Sequence, residues 1–166
     1  MQAKRGFTLV EILIVVVILG ILAAIVIPQF TQASTEAKTN SLVSDLQTLR
    51  SQIELFKCQH NNDLIPIPEY VAAPGPETWN QMVYTTDRDG NVNAGSKART
   101  VVFNCGPYLE RVPENPFNGL NTIIAYADRA AIPSDDSSGW AYIPTTGEIY
   151  ANNDEALPDG TLMSTL

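Results

Sequence analysis

One histidine, two cysteines and ten basic residues are all that 166 residues supply of those types. His60 stands at an expected helix end, where an imidazole caps the last turn or faces solvent, and no Ser or Cys near it forms a nucleophile signature. No glycine-rich loop is arranged to cradle a phosphate, Cys58 and Cys105 are too far apart in sequence to form a CxxC pair, and paired carboxylates occur only as loop acids. Hydrolytic, nucleotide-dependent and dithiol chemistry therefore lack their usual residues. The shortage of positive charge, 10 Lys and Arg against 18 Asp and Glu for a net charge of −8, argues against nucleic acid as a partner, because phosphate contacts require a basic surface.

What is present is one long apolar run. Residues 5 to 30 read RGFTLVEILIVVVILGILAAIVIPQF, and from Ile12 to Ile27 every residue is apolar or glycine. With Phe7 to Val10 added, the stretch reaches the roughly 20 residues that a hydrocarbon core of about 30 Å requires. Lys4 and Arg5 precede it, which by the positive-inside rule holds the short N-terminus in the cytoplasm and sends the remainder outward. A secretory signal would place a small-residue cleavage site after its apolar core, yet Ile25-Val26-Ile27 follow Ala23-Ala24 at once. Glu11 sits within this run, where an acidic side chain costs roughly 3 kcal/mol unless it finds a partner. A plain signal anchor leaves that carboxylate unexplained. The bland reading of Glu11 is a favourable interaction with the positive end of the helix dipole, aided by snorkelling to the interface.

Past Pro28 the apolar pattern continues. Leu42, Leu46, Leu49, Ile53 and Phe56 recur at steps of four and three, with polar residues between them, which predicts an amphipathic helix. Continuous with the apolar run it would make a rod of about 75 Å; the alternative is a break or kink at Pro28, whose ring removes the bond to Ala24. Gly20 and Pro28 bracket a stretch of weak helical support. After Phe56, prolines recur through Pro158, so no further long helix is expected. Val101-Val102-Phe103, Ile123 to Ala127, Trp140 to Ile143 and Glu148 to Ala151 have strand composition, the last two joined as a hairpin across Pro144-Thr145-Thr146-Gly147. The fold class expected is α+β: a long N-terminal α-helix packed on a small antiparallel β-sheet, a lollipop in outline.

The stretch Gly6-Phe7-Thr8-Leu9-Val10-Glu11, behind a short basic leader and ahead of an unbroken apolar stretch, resembles the signal of type IV pilins and type II secretion pseudopilins. Gln59-His60-Asn61, Gly106-Pro107-Tyr108-Leu109, Val112 to Gly119, Gly139-Trp140-Ala141-Tyr142 and Thr146-Gly147-Glu148-Ile149 look like landmarks of the major pseudopilins. The resemblance implies a leader over 1–6, a transmembrane and assembly helix over 7–30, an amphipathic half over 31–57 and a periplasmic head over 58–166. It further implies cleavage after Gly6 by a prepilin peptidase, N-methylation of Phe7, and pairing of Glu11 with the Phe7 ammonium of a neighbouring subunit. In filaments of the family the stretch matching Gly20 to Pro28 can melt in part. Loss of the leader would take the net charge from −8 to about −10. The partners implied are further copies in a homo-oligomeric filament, minor pseudopilins, an inner-membrane assembly platform and a cytoplasmic ATPase. The location implied is a bacterial inner membrane, with the head periplasmic.

Both cysteines fall on the outward side, where an oxidising compartment permits a disulfide between Cys58 and Cys105; the alternative is two buried thiols. Such a bridge would contribute roughly 4 kcal/mol by chain entropy. The resemblance also implies one calcium ion in a C-terminal loop, for which Asp135, Asp136 and Asp128 are the candidates. The family's calcium loop has no residue-by-residue match here, and a solvated acidic loop is the alternative. Asp87-Arg88-Asp89-Gly90-Asn91 has its glycine too early for an EF-hand and reads as a turn. Tyr108, Phe117 and Trp140 read as core aromatics.

Two function classes follow. The first is a structural filament subunit, of a secretion pseudopilus or of a surface type IV pilus. The second is a membrane-anchored enzyme or binding domain carried on a pilin-like helix.

Overall fold

Thr8 and Glu11 start the first helix. In the computed structural model, which describes residues 7–60, 79–93, 95–133 and 135–153, helix α1 runs Leu9–Gln59 without interruption. The leader with Gly6, Asn61, and the prolines from Pro66 to Pro76 and at Pro158 lie outside the described residues. The chain divides into two compact units, Met1–Lys38 and Thr39–Leu166.

In the first unit every residue from 7 to 34 is exposed, and this part of α1 is long and apolar enough to cross a membrane. Pro28 lies inside the helix rather than ending it. Its ring removes the N–H that would reach Ala24, and one turn later the Thr31 hydroxyl donates to the Ile27 carbonyl at 3.2 Å.

In the second unit the spacing read from the sequence is the spacing buried. Leu42, Leu46, Leu49, Ile53 and Phe56 are the buried residues of α1, and His60 extends the same stripe by one more turn. The five α1 side chains form one core cluster with Trp79, Met82, Tyr108, Ile123, Trp140, Tyr142 and Ile149. Each large side chain placed there stabilises the fold by about 1.5–3 kcal/mol over its exposed state. A short helix α2, Asn80–Val83, delivers Met82 to this core.

Strands β1 (Ile123–Ala125), β2 (Trp140–Ile143) and β3 (Glu148–Ala151) form a sheet in that order. The hairpin β2–β3 is antiparallel as expected, with Ile143 opposite Glu148; Gly147 closes it, donating to the Ile143 carbonyl at 2.8 Å with φ 79°, a conformation glycine adopts without strain. The expected all-antiparallel sheet is corrected at β1, which pairs parallel to β2. The physical reason is the connection: segment 126–139 is long enough for the crossover that parallel strands need. Period-two alternation sorts β2 between two clusters, Trp140 and Tyr142 to the main core, Ala141 and Ile143 to a smaller one with Tyr150.

The strand expected at Val101-Val102-Phe103 is also corrected. The Thr100 hydroxyl accepts from the Phe103 N–H at 3.0 Å and closes a turn, which leaves Val101 97% exposed with no strand beside it among the described residues. Strand composition without a pairing edge does not make a strand. Asp87 to Asn91 is a turn as read, with Asp87 Oδ1 accepting from the N–H groups of Asp89 and Asn91.

Candidate assembly site

Thr8 and Glu11 form a reciprocal cap. The Glu11 N–H donates to Thr8 Oγ1 at 3.2 Å, while the Thr8 N–H and hydroxyl both donate to Glu11 Oε2 at 2.8 Å. This is a capping box, Thr-x-x-Glu, which satisfies donors that a helix start otherwise leaves orphaned. Its spacing was legible in the sequence, but Thr8 was not singled out there. Both donations from Thr8 end on Oε2, and none among the described residues ends on Oε1. Phe7, next to this cap, is 83% exposed.

The helix beyond the cap presents Ile12 to Ile27 outward. An apolar surface of that extent on a single chain requires lipid or other helices to cover it. Gly20 has nothing within 4 Å of where a Cβ would stand, so within one chain it accommodates no neighbour.

Cys58 and Cys105 are not brought together. Cys58 is exposed, Cys105 is buried, and both thiols are free, so the expected bridge is not formed. The reason lies in helix geometry: Cys58 follows the buried Phe56 by two positions, about 200° around α1, and points away from the core. Cys105 instead pairs its backbone with Thr86.

His60 is buried rather than solvent-facing. Its Nδ1 lies 2.9 Å from the Phe56 carbonyl, to which it donates, leaving Nε2 to meet the Thr86 hydroxyl at 3.0 Å. The ring stacks on Phe56 with centroids 3.8 Å apart. Both nitrogens are thus engaged in structure. Trp140 is fully buried and donates from Nε1 to the Pro113 carbonyl at 2.8 Å; Tyr108 is buried and Phe117 packs against the core, as read from the sequence.

The three aspartates assigned to calcium each serve local backbone or a neighbouring amide. Asp128 Oδ1 accepts from the Ala131 N–H at 3.0 Å and caps a short 3-10 turn. Asp135 Oδ1 accepts from the Ser137 N–H at 3.0 Å, and Ser137 holds this exposed carboxyl below its ordinary range. Asp136 accepts from Asn118 Nδ2 at 3.4 Å. Among the described residues no three His, Cys, Asp or Glu side chains gather as a metal site. The same Asn118 nitrogen donates to the Ser138 and Asn152 carbonyls, each at 2.9 Å. Carbonyl and carboxylate oxygens that calcium would need as ligands thus converge on an amide nitrogen, and the donor set does not fit the ion.

The first 27 residues match the prokaryotic N-terminal methylation motif. The chain is similar to a type II secretion system core protein G of Klebsiella michiganensis, 28% identical over 151 residues, covering 91% of this chain and 94% of that one. It is likewise similar to a type II secretion system core protein G of Aeromonas hydrophila, 30% identical over 128 residues, covering 70% and 71% respectively. A fimbrial protein of Pseudomonas aeruginosa is 44% identical over 54 residues, covering 32% of this chain and 35% of that protein. No solved structure matches the chain.

Proposed function

The chain belongs to the family of type II secretion system core protein G, and on that premise we propose that it is cleaved after Gly6 by a prepilin peptidase, N-methylated at Phe7, and built into a helical pseudopilus serving protein export. The observation that carries this reading is the Glu11 carboxylate, half occupied by Thr8 at the head of an exposed apolar helix. Oε1 is left to accept from a donor on another molecule, and the ammonium of a neighbour's Phe7 is the donor that cleavage after Gly6 would create. Opposite charges attract strongly at low dielectric, and removing one strands the other at roughly 3–5 kcal/mol.

Segment 7–30 then crosses the inner membrane and bundles at the filament centre, with 31–57 and the head over 58–166 on the periplasmic side. Lys4 and Arg5 set that orientation. An assembly platform, a cytoplasmic ATPase and minor pseudopilins are the partners of such a subunit. The role is structural; charge pairing and packing do the work.

The test is Glu11→Ala beside Glu11→Gln in a strain lacking the native gene. Both variants insert and are processed, mass spectrometry finds methylated Phe7 at the mature N-terminus, and filament yield falls on the order of 100-fold, as a loss of about 3 kcal/mol per contact dictates. Undiminished filaments, or a mature chain beginning elsewhere than Phe7, would sink the reading. The fimbrial relative favours a second reading, a surface type IV pilus. Fibres released by shear, with secretion intact in the deletion strain, would select it.

A further inference from the structure

We infer that the side-chain amide of Asn118 cross-links the loop before β2 in the position a cation would take, so that the head of this chain folds independently of calcium. Asn118 belongs to the turn Asn115 to Leu120, and its Oδ1 accepts from the Leu120 N–H at 3.0 Å. That bond fixes which way the amide points. Flipping it would set the oxygen against the carbonyls of Ser138 and Asn152 and the carboxylate of Asp136, acceptors facing an acceptor. With the orientation fixed, Nδ2 stands where those three oxygens converge, at 2.9, 2.9 and 3.4 Å.

Three parts of the head meet at this nitrogen: the 115–120 turn, the acidic loop 135–139, and the end of β3 at Asn152. Two further amides complete the closure. Asn115, fully buried, donates from Nδ2 to the Gly139 carbonyl at 2.9 Å, and Asn152 donates from Nδ2 to the Ser137 and Ser138 hydroxyls at 3.2 and 2.9 Å. A calcium ion binds six to eight oxygens at 2.3–2.6 Å, a shell into which N–H donors cannot be admitted. The main-chain carbonyls of Ser138 and Asn152 that would ligate it are already spent on Asn118 amide protons, Asp128 caps backbone at Ala131, and Asp135 is spent on the Ser137 N–H within the acidic loop. Asn-x-x-Asn in the turn therefore does by hydrogen bonding what an ion does by coordination.

The experiment uses the full chain in detergent, with melting followed by tryptophan fluorescence in millimolar calcium and in excess EGTA. The unmodified chain melts at the same temperature in both, and terbium emission sensitised by tryptophan does not saturate at micromolar ion. Asn118→Ala lowers the melting temperature by about 4–8 °C, equally with and without calcium. A melting temperature that climbs saturably with calcium, saturable terbium emission, or an Asn118→Ala chain as stable as the parent each overturns the inference. Should Asn118→Ala fail to fold, the calcium and terbium titrations of the parent chain still decide it.

Discussion

Gly139→Ala is expected to damage the head more than any other glycine substitution among those whose surroundings are described. A Cβ at Gly139 would stand 2.0 Å from the Leu120 carbonyl oxygen and 2.7 Å from its carbon, whereas real Cβ contacts essentially never fall under 3.0 Å. The obstructing atoms are backbone, which no rotamer change removes. Either the 115–120 turn or the start of β2 must move by an ångström or more. That movement breaks bonds which pass through this residue: the Gly139 N–H to the Thr122 carbonyl, and the donations of Asn115 Nδ2 and the Asn152 N–H to the Gly139 carbonyl.

Overpacking costs about 1–3 kcal/mol, and each of the three hydrogen bonds lost adds about 0.5–1.5 kcal/mol, for a combined effect of at least roughly 3 kcal/mol. Against a total stability of about 5–15 kcal/mol this lowers the melting temperature by about 10–20 °C. Thermal melts by near-ultraviolet circular dichroism, which report Trp140 beside the substitution, measure it. Gly20→Ala is the control: nothing lies within 4 Å of its Cβ and it sits inside a helix, so the melt of the head should not fall. A Gly139→Ala chain melting within about 2 °C of the parent would refute the close-packing argument.

Burial, with the Cys105 thiol beside it, pushes the Tyr108 hydroxyl up from 10.0 to about 12. The unfolded chain ionises first, so stability is lost as pH rises between those two values; Tyr108→Phe should flatten that part of a denaturant-midpoint profile. Leu49→Ala removes a fully buried side chain and should cost about 2–5 kcal/mol in urea unfolding, whereas Leu55→Ala, on an exposed position of the same helix, should cost under about 1 kcal/mol. Cys58 should alkylate in the native chain and Cys105 only after denaturation, with reductant leaving the melting temperature unchanged; protection of both thiols until reduction would contradict the free pair.

Periodicity makes the buried stripe of α1 legible in the sequence, because a 3.6-residue repeat and an apolar pattern suffice to name Leu42 through Phe56. The β2–β3 hairpin was equally legible, since a loop closed by glycine between two apolar runs admits few alternatives. Three features were not. The direction of β1 depends on how segment 126–139 crosses over, which composition does not encode. Val101 and Val102 carry strand propensity but have no neighbouring edge among the described residues. Asn115 and Asn118 stand only within the landmark stretch Val112 to Gly119, and their amides reach acceptors 18 to 34 positions away, a distance at which no local pattern speaks. At the N-terminus, Glu11 was singled out by its cost in lipid, while Thr8, whose capping spacing could have been read, was not.

The Thr8 cap bears on how the proposed subunit would wait in the membrane before assembly. A carboxylate with no donor at that depth would drive the helix out or force protonation. Thr8 supplies two donors from the same chain, so the proposed subunit would hold its charge alone, and in the proposed filament the remaining oxygen would make the first contact with an incoming ammonium. The proposed pairing would then add a charge to an existing network instead of rescuing a bare one. On this account Thr8→Val, which keeps shape and removes the hydroxyl, leaves Glu11 Oε2 with the residue-8 N–H as its one donor among the described residues. It should reduce the membrane-resident pool of monomers as well as filament yield, whereas Glu11→Ala reduces filaments alone. Quantifying monomer and filament fractions side by side separates the two, and a Thr8→Val chain that accumulates as stably as the parent would show that the capping hydroxyl has no part in holding the charge.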